Sequence, residues 1–169
     1  LVLANGAAEN QLIDTEDEDY EIFKEVFHYV NTYLAQQIVR DGEGAGKFIE
    51  VCVSGTKTKE DARILSKSII TSNLVKTAFF GEDANWGRIL CAMGYSGVKF
   101  DSSKVTIEFS SEGGIITVME KGIPLNFDED IAFKILHEKD IKVSAFLQEG
   151  EEEATAWGCD LSYEYVRIN

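Results

Sequence analysis

The chain has 169 residues, of which 44% are hydrophobic and 11% aromatic, so it can bury a core and is not globally disordered. Its formal net charge of −14 disfavours binding to nucleic acids and to anionic membranes, because both partners carry phosphate groups. No apolar run of the sequence approaches the ~20 residues that a membrane-spanning helix needs.

The N-terminal part is predicted to hold a short strand and a long helix. Residues 1–4 form an apolar run that favours the end of a buried strand. Apolar residues from Ile22 to Ile38 recur at spacings of one, three and four, which predicts an amphipathic helix. Thr15 and Glu18 have the spacing of a capping box, so we expect this helix to begin beside them.

The remaining elements are predicted from the same two periodicities. Apolar runs and two-residue alternation indicate strands over residues 48–53, 74–80, 105–109, 115–119, 141–147, 154–160 and 163–169. Helical spacing indicates a helix from Thr58 to about Ser72 and another that Asp128 caps, running through Leu136. Between them, residues 81–88 are expected to lead into a short helix that ends near Gly94. This succession of strands and helices predicts an α/β or α+β fold built of layers, with a soft domain boundary between residues 55 and 100.

A glycine-dense loop, residues 41–47, is the first candidate for a binding site. It departs from the Walker pattern, because Phe48 follows Lys47 where that pattern has Ser or Thr, and a strand follows instead of a helix. Glu43 lies between two glycines, where a carboxylate can reach a ligand without steric hindrance and hold an ammonium group. The spacing alone favours a solvated acidic turn over such a site.

Two later segments also carry side chains that could form a site. Arg88 is suited to clamp a carboxylate, although pairing with Asp83 or Glu82 is the favoured interpretation. Cys91 lies one helical turn beyond Arg88 and is predicted to be an inert, buried thiol. Residues 157–160 have no general base or metal ligand close by in the sequence, so strand packing is their predicted role.

Cysteine and histidine usage gives no active site. The three cysteines are odd in number, widely spaced and without a CxxC pair, which indicates reduced thiols and a cytoplasmic location. His28 and His137 are the only histidines and lie far apart, so neither a zinc site nor a His-based triad is indicated. From its residues alone, the chain is an acidic α/β domain with no visible catalytic centre.

Several stretches taken together resemble the C-terminal part of the ornithine acetyltransferase family, the bifunctional glutamate N-acetyltransferases of arginine biosynthesis. They occur in the family's order and cover nearly the whole chain, which makes the set far more specific than any one member. The matching stretches are Val2–Gly6, Asp41–Ala45, Val75–Ala78 with Gly81–Asp83, Asn85–Ile89, Gly94–Gly97 and Trp157–Asn169. We expect the chain, which begins and ends inside predicted strands, to be a piece of a longer protein.

The resemblance implies an N-terminal-nucleophile enzyme. In this family a precursor cleaves itself before a Thr, and that new N-terminal Thr takes the acetyl group from N2-acetylornithine and passes it to glutamate. The implied fold is the later part of a layered sheet–helix domain, residues 1–60, followed by a smaller α+β domain, residues 61–169. No catalytic residue falls in this chain, which we expect to be inactive alone.

The resemblance also implies substrate-binding residues and partners. The family's substrate-binding Glu maps to Glu43 and its Asn to Asn169, whereas Gly46 stands where many relatives have Thr. The expected partner is the α chain of the same precursor, in an assembly of two α and two β chains. No cofactor or metal is implied, and acetyl-CoA stays open as a co-substrate. The alternatives are a related self-cleaving aminopeptidase and a non-catalytic module that joins subunits.

Overall fold

The computed structural model describes residues 2–168, which form two compact units, one up to Ala35 and one from Gln36 onward. In the first unit, residues 2–17 form neither helix nor strand. Val2 and Leu3 are exposed, so the buried strand predicted over residues 1–4 is wrong for its described part. A short apolar run forms a strand only where a neighbouring strand supplies backbone hydrogen bonds.

Helix α1 (Glu18–Arg40) confirms the predicted amphipathic helix. It begins at Glu18, and its capping side chain is Asp17, two residues after the predicted Thr15. The Asp17 carboxylate accepts a hydrogen bond from the backbone N–H of Tyr20 at 3.2 Å, and Thr15 donates its hydroxyl to that same carboxylate. A carboxylate at this end also complements the positive end of the helix dipole.

The second unit is built on one six-stranded sheet. Its strands are β1 (Phe48–Thr56), β2 (Thr106–Ser111), β3 (Gly114–Glu120), β4 (Ile123–Pro124), β5 (Asp140–Phe146) and β6 (Glu152–Cys159). The spatial order is β4-β3-β2-β5-β1-β6, with β1 parallel to β5 and every other pair antiparallel. The predicted α/β class is therefore confirmed. This unit runs across residue 60, and the predicted division into two domains there stays a prediction.

Among the described residues, the second unit has five further α-helices and a 3-10 helix, Ser102–Lys104. The α-helices are α2 (Lys59–Thr71), α3 (Asn73–Phe80), α4 (Trp86–Gly94), α5 (Glu129–His137) and α6 (Tyr163–Ile168). Three of them, α2, α4 and α5, are predicted correctly, because each begins after a side chain that accepts a backbone N–H. The capping residues are Thr58, Asn85 and Asp128. No helix among the described residues is long and apolar enough to cross a membrane.

Two predicted strands are helices in the structure. Residues 73–80 form α3, which the Ser72 hydroxyl caps and which buries Val75, Ala78 and Phe79 at helical spacing. A short apolar run does not by itself distinguish a strand from a buried helix. Residues 163–168 form α6, which follows Ser162, whose hydroxyl accepts from the backbone N–H of Tyr165 at 3.4 Å.

The core lies where α2 and α5 pack on the sheet, and α4 adds buried residues to it by packing on α2. Ile49, Val51 and Val53 alternate along β1 and are fully buried. Helix α2 packs on β1 and β6, and Gly158 of β6 makes this close approach possible. A Cβ at Gly158 would clash with the Ile70 side chain of α2. The sheet is therefore a rigid support for the loops at its ends.

Candidate functional site

The loop between α1 and β1, residues 41–47, carries Glu43 and is called here the Glu43 loop. Glu43 lies in a tight turn that closes with a hydrogen bond from the N–H of Ala45 to the carbonyl of Gly42 at 3.0 Å. Its side chain is exposed, as a ligand-binding carboxylate needs to be. The second predicted site residue, Asn169, lies outside the described residues.

Gly44 is the point at which this loop meets the residues that follow β6. Its φ of +68° is in the left-handed region that favours glycine. A Cβ at Gly44 would lie 2.6 Å from the backbone nitrogen of Tyr165, so no larger residue fits without moving the backbone. The carbonyl of Gly44 accepts a hydrogen bond from the Ser162 hydroxyl. The loop and the start of α6 are therefore in direct contact.

Asp160 holds the other end of the Glu43 loop. Its side chain is 4% exposed, and Oδ1 accepts hydrogen bonds from the backbone N–H groups of Gly46 at 2.8 Å and Lys47 at 2.9 Å. The second oxygen, Oδ2, is buried and has no hydrogen-bond partner among residues 2–168. A Cβ at Gly46 would lie 3.1 Å from that oxygen. Residue 46 thus faces an acceptor that lacks a donor.

The Lys47 side chain is used inside the fold. Its ammonium donates to the carbonyl of Leu136 and to Oε1 of Glu82, the latter at 3.1 Å. His137 Nδ1 also lies 3.1 Å from that Oε1. Only 10% of the Lys47 side chain is exposed. These contacts agree with the sequence interpretation that the loop is not a phosphate-binding Walker motif, since its lysine joins β1 to α5 and to the loop after α3.

Next to the loop, Arg40 and Asp140 form a bidentate ion pair in which both N–O distances are 2.6 Å. The hydrogen bonds and the charge of Arg40 lower the pKa of Asp140. The Arg40 guanidinium also stacks on the ring of Phe48, 4.0 Å from its centroid. An adjoining cavity of about 220 Å³ is lined by Arg40, Ala45, Gly46, Lys47, Phe48, Lys139 and Asp140.

Arg88, the second candidate for a site, has a structural role that differs from the predicted one. Arg88 donates to the carbonyl of Leu74 at 2.8 Å and to the Thr77 hydroxyl at 3.2 Å, so its predicted pairing with Asp83 or Glu82 is wrong. The helix start at Asn85 orients Arg88 towards α3, and Glu82 is occupied by Lys47 and His137. Arg88 therefore joins α4 to α3.

The prediction of a buried Cys91 is also wrong, since the structure leaves this thiol exposed. Helix α4 buries Ile89, Ala92 and Met93, and Cys91 falls outside that face. Strand packing is confirmed for Trp157, whose indole N–H donates to Glu50 at 2.9 Å. Within residues 2–168, no three His, Cys, Asp or Glu side chains converge as a metal-binding group would require.

Asp160 and Ser162 are the residues near the candidate site that sequence reasoning missed. Both lie in the stretch Trp157–Asn169 that carries the family resemblance, but their partners in the Glu43 loop are more than a hundred residues earlier. The sequence offered only one signal, a small hydroxyl residue directly before α6 that suits an N-cap. A strand prediction over residues 163–169 hides that signal.

Comparison with known proteins identifies relatives that match the whole chain. The family model described as "ArgJ family" matches residues 1–169. The chain is 53% identical over its full length to the arginine biosynthesis bifunctional protein ArgJ 1 of Clostridium acetobutylicum, covering 41% of that protein. It is 52% identical to the arginine biosynthesis bifunctional protein ArgJ of Caldanaerobacter subterraneus, covering 42% of it. The chain thus spans about two fifths of the length of these relatives.

A solved structure has the same fold along the whole of this chain. The crystal structure of the arginine biosynthesis bifunctional protein argJ from Bacillus halodurans is 43% identical in sequence and superimposes with a TM-score of 0.92. The match covers all of this chain and 78% of that one. At this level of similarity the two share one fold, which supports the fold class drawn from the sequence.

Proposed function

The chain belongs to the ArgJ family, and we propose that it supplies substrate-binding residues to an enzyme that transfers an acetyl group from N2-acetylornithine to glutamate. Support comes from a family match over the whole chain and from relatives named as bifunctional proteins of arginine biosynthesis. The observation that carries the proposal is the exposed carboxylate of Glu43, on a loop held at three points by residues 160–165.

The proposed chemistry has two steps. A Thr outside this chain attacks the acetyl carbonyl, ornithine leaves, and glutamate then takes the acetyl group from the Thr. A hydroxyl is a weak nucleophile until a base removes its proton, and the free N-terminal amine of the same Thr can act as that base. Because this nucleophile is supplied from elsewhere, the 169 residues alone should transfer no acetyl group.

Within this scheme, the residues of this chain bind and orient. The Glu43 carboxylate pairs with the side-chain ammonium of the ornithine group, a charge-assisted contact of the stronger kind. Asn169 hydrogen-bonds the polar backbone groups of the same substrate. Holding the ornithine group at its two ends aligns the acetyl carbonyl with the attacking hydroxyl, which is how positioning residues lower an activation barrier.

The proposed assembly and setting follow from the family. The chain pairs with the α chain of its own precursor, in an assembly of two α and two β chains. The reaction needs no cofactor, and acetyl-CoA is a further acetyl donor to be tested. The proposed location is the cytoplasm. The match of the ArgJ family model to every residue favours this function over a self-cleaving aminopeptidase and over a non-catalytic subunit-joining module.

The test is Glu43→Gln in the full-length enzyme. Losing one charge-assisted contact raises the KM for N2-acetylornithine by roughly tenfold or more. Glu120→Gln is the matched control, because it makes the same charge change at an exposed position at the end of β3. Wild-type kinetics in Glu43→Gln would refute the role of Glu43.

A further inference from the structure

The Glu43 loop is held by a short segment at the other end of the sequence, residues 160–165, called here the clamp. Asp160 accepts the N–H groups of Gly46 and Lys47, and Ser162 donates to the carbonyl of Gly44. The clamp backbone at Tyr165 also lies against the Cα of Gly44. The contacts fall on the residues that follow Glu43 in the loop.

We propose that Ser162, supported by Asp160, is a positioning residue that sets the direction of the Glu43 carboxylate for substrate binding. The proposal rests on the proposed function, because it gives Glu43 the role of a substrate ligand. Ser162 is 7% exposed and does not itself reach the substrate in this scheme. It acts through the peptide between Gly44 and Ala45, one residue beyond Glu43.

The geometry around Gly44 explains why one hydroxyl has this effect. Gly44 has no side chain and a φ of +68°, so its own sequence does not hold it in one backbone conformation. Its carbonyl is fixed by the Ser162 hydroxyl, so the plane of the next peptide is fixed as well. The direction in which Glu43 leaves the turn depends on that orientation.

Ser162 also joins the loop to the start of α6. The same hydroxyl that donates to Gly44 accepts the N–H of Tyr165 at 3.4 Å, as an N-cap does. Asn169 follows α6 directly in the sequence. One side chain therefore connects the two segments that carry the proposed substrate ligands.

Asp160 holds the far end of the loop. Its Oδ1 accepts hydrogen bonds from the backbone N–H groups of both Gly46 and Lys47, at 2.8 and 2.9 Å. A carboxylate that accepts two backbone N–H groups fixes the orientation of both peptides. Asp160 therefore supports the same loop that Ser162 holds at Gly44.

The first experiment is Ser162→Ala in the full-length enzyme. We expect the KM for N2-acetylornithine to rise about fivefold, with a smaller change in kcat, and Ser162→Thr to restore most of the affinity. Ser68→Ala is the control. The hydroxyl of Ser68 in α2 also donates a hydrogen bond to a distant carbonyl, that of Ala92 in α4, at 2.6 Å. A lower melting temperature with unchanged KM in Ser162→Ala would refute the proposal.

A second variant distinguishes loss of the hydroxyl from loss of the α6 start. Glycine is almost as good an N-cap as serine, so Ser162→Gly keeps the start of α6 while removing the hydroxyl. The same rise in KM is expected in this variant. Hydrogen exchange at the amides of residues 44–47 supplies a readout without turnover, and it should quicken in Ser162→Gly but not in Ser68→Ala.

The decisive measurement is the double variant Glu43→Gln with Ser162→Ala. If Ser162 acts through Glu43, the double variant has the KM of Glu43→Gln alone, because the second change has nothing left to position. Effects that multiply would refute the proposal. A wild-type enzyme that transfers no acetyl group would refute the proposed function, whereas an active enzyme with unchanged KM and unchanged loop exchange in Ser162→Gly would refute the positioning role alone.

Discussion

The two units of the chain use the same kind of helix in opposite ways. Helix α1, most of which lies in the first unit, has 23 residues and buries none of them. Helix α2 has 13 residues and buries five, among them Leu65 and Ile69. Both sequences repeat apolar residues at helical spacing. The comparison teaches that the repeat predicts the helix and its apolar side, while a packed core requires a neighbouring surface that the repeat does not specify.

A pair of matched core truncations tests this comparison most strongly. Leu65→Ala in α2 removes a fully buried side chain and should lower the free energy of unfolding of the 169-residue chain by about 2–5 kcal/mol. Leu34→Ala in α1 removes a side chain that is 52% exposed and should change it by no more than about 0.5 kcal/mol. Urea unfolding measures both. Equal losses would contradict the difference between the two helices.

Two glycines with nearly the same backbone sharpen the comparison. Gly6 has φ +72° and nothing within 4 Å of an added Cβ, so Gly6→Ala meets only the left-handed strain of about 1–2 kcal/mol. Gly44 has φ +68° and a backbone atom at 2.6 Å. Gly44→Ala should therefore cost about 1–3 kcal/mol more, because the clamp must move. Thermal unfolding of both variants checks this, and similar losses would argue against the close contact at Tyr165.

A smaller effect on the free energy of unfolding is expected from two carboxylates whose pKa is lowered in the folded chain, one in each unit. The Asp140 pKa is lowered by the hydrogen bonds and charge of Arg40, so the pair stabilises the fold above the ordinary value of 3.8. This contribution is lost as the pH falls through the lower, folded pKa. The pair is partly exposed, so Asp140→Asn should lose about 1 kcal/mol or less at neutral pH and nothing at strongly acid pH.

Asp17 gives the matching test in the first unit. Its pKa is lowered by the Thr15 hydroxyl and then by the N–H of Tyr20, in the same direction as that of Asp140. Because Asp17 is fully exposed, we expect Asp17→Asn to change the stability less than Asp140→Asn does. Unfolding measured at several pH values compares the two. A larger effect at Asp17 would contradict the view that the ion pair in the second unit matters more.

The helices that could be predicted are those in which the capping side chain binds a backbone N–H only a few residues away. Thr58, Asn85 and Asp128 each accept an N–H two or three residues ahead, so the sequence around them contains the whole interaction. The predicted strands of the central sheet are recognisable for a similar reason, since alternation of buried residues marks β1 without knowledge of its neighbours. Local chemistry suffices for these elements.

What could not be predicted depends on contacts between distant residues. Helix α3 was missed because Leu74–Phe80 is an apolar run that suits both a strand and a buried helix. The start of α6 depends on Ser162, whose partner at Gly44 is 118 residues away in the chain. Asp160 was assigned to strand packing because its partners, Gly46 and Lys47, are equally distant. The exposed position of Glu43 on a glycine turn was the one site feature within reach of local reasoning.

The place of β1 in the sheet also affects how the protein is made. Phe48 pairs with Asp140 on one side and with Cys159 on the other, so neither neighbour of β1 exists when β1 leaves the ribosome. At ~5–20 residues per second, the wait for β5 lasts roughly 5–20 s. During that interval an apolar strand with two open edges is exposed in the nascent chain, which makes it a natural binding segment for chaperones.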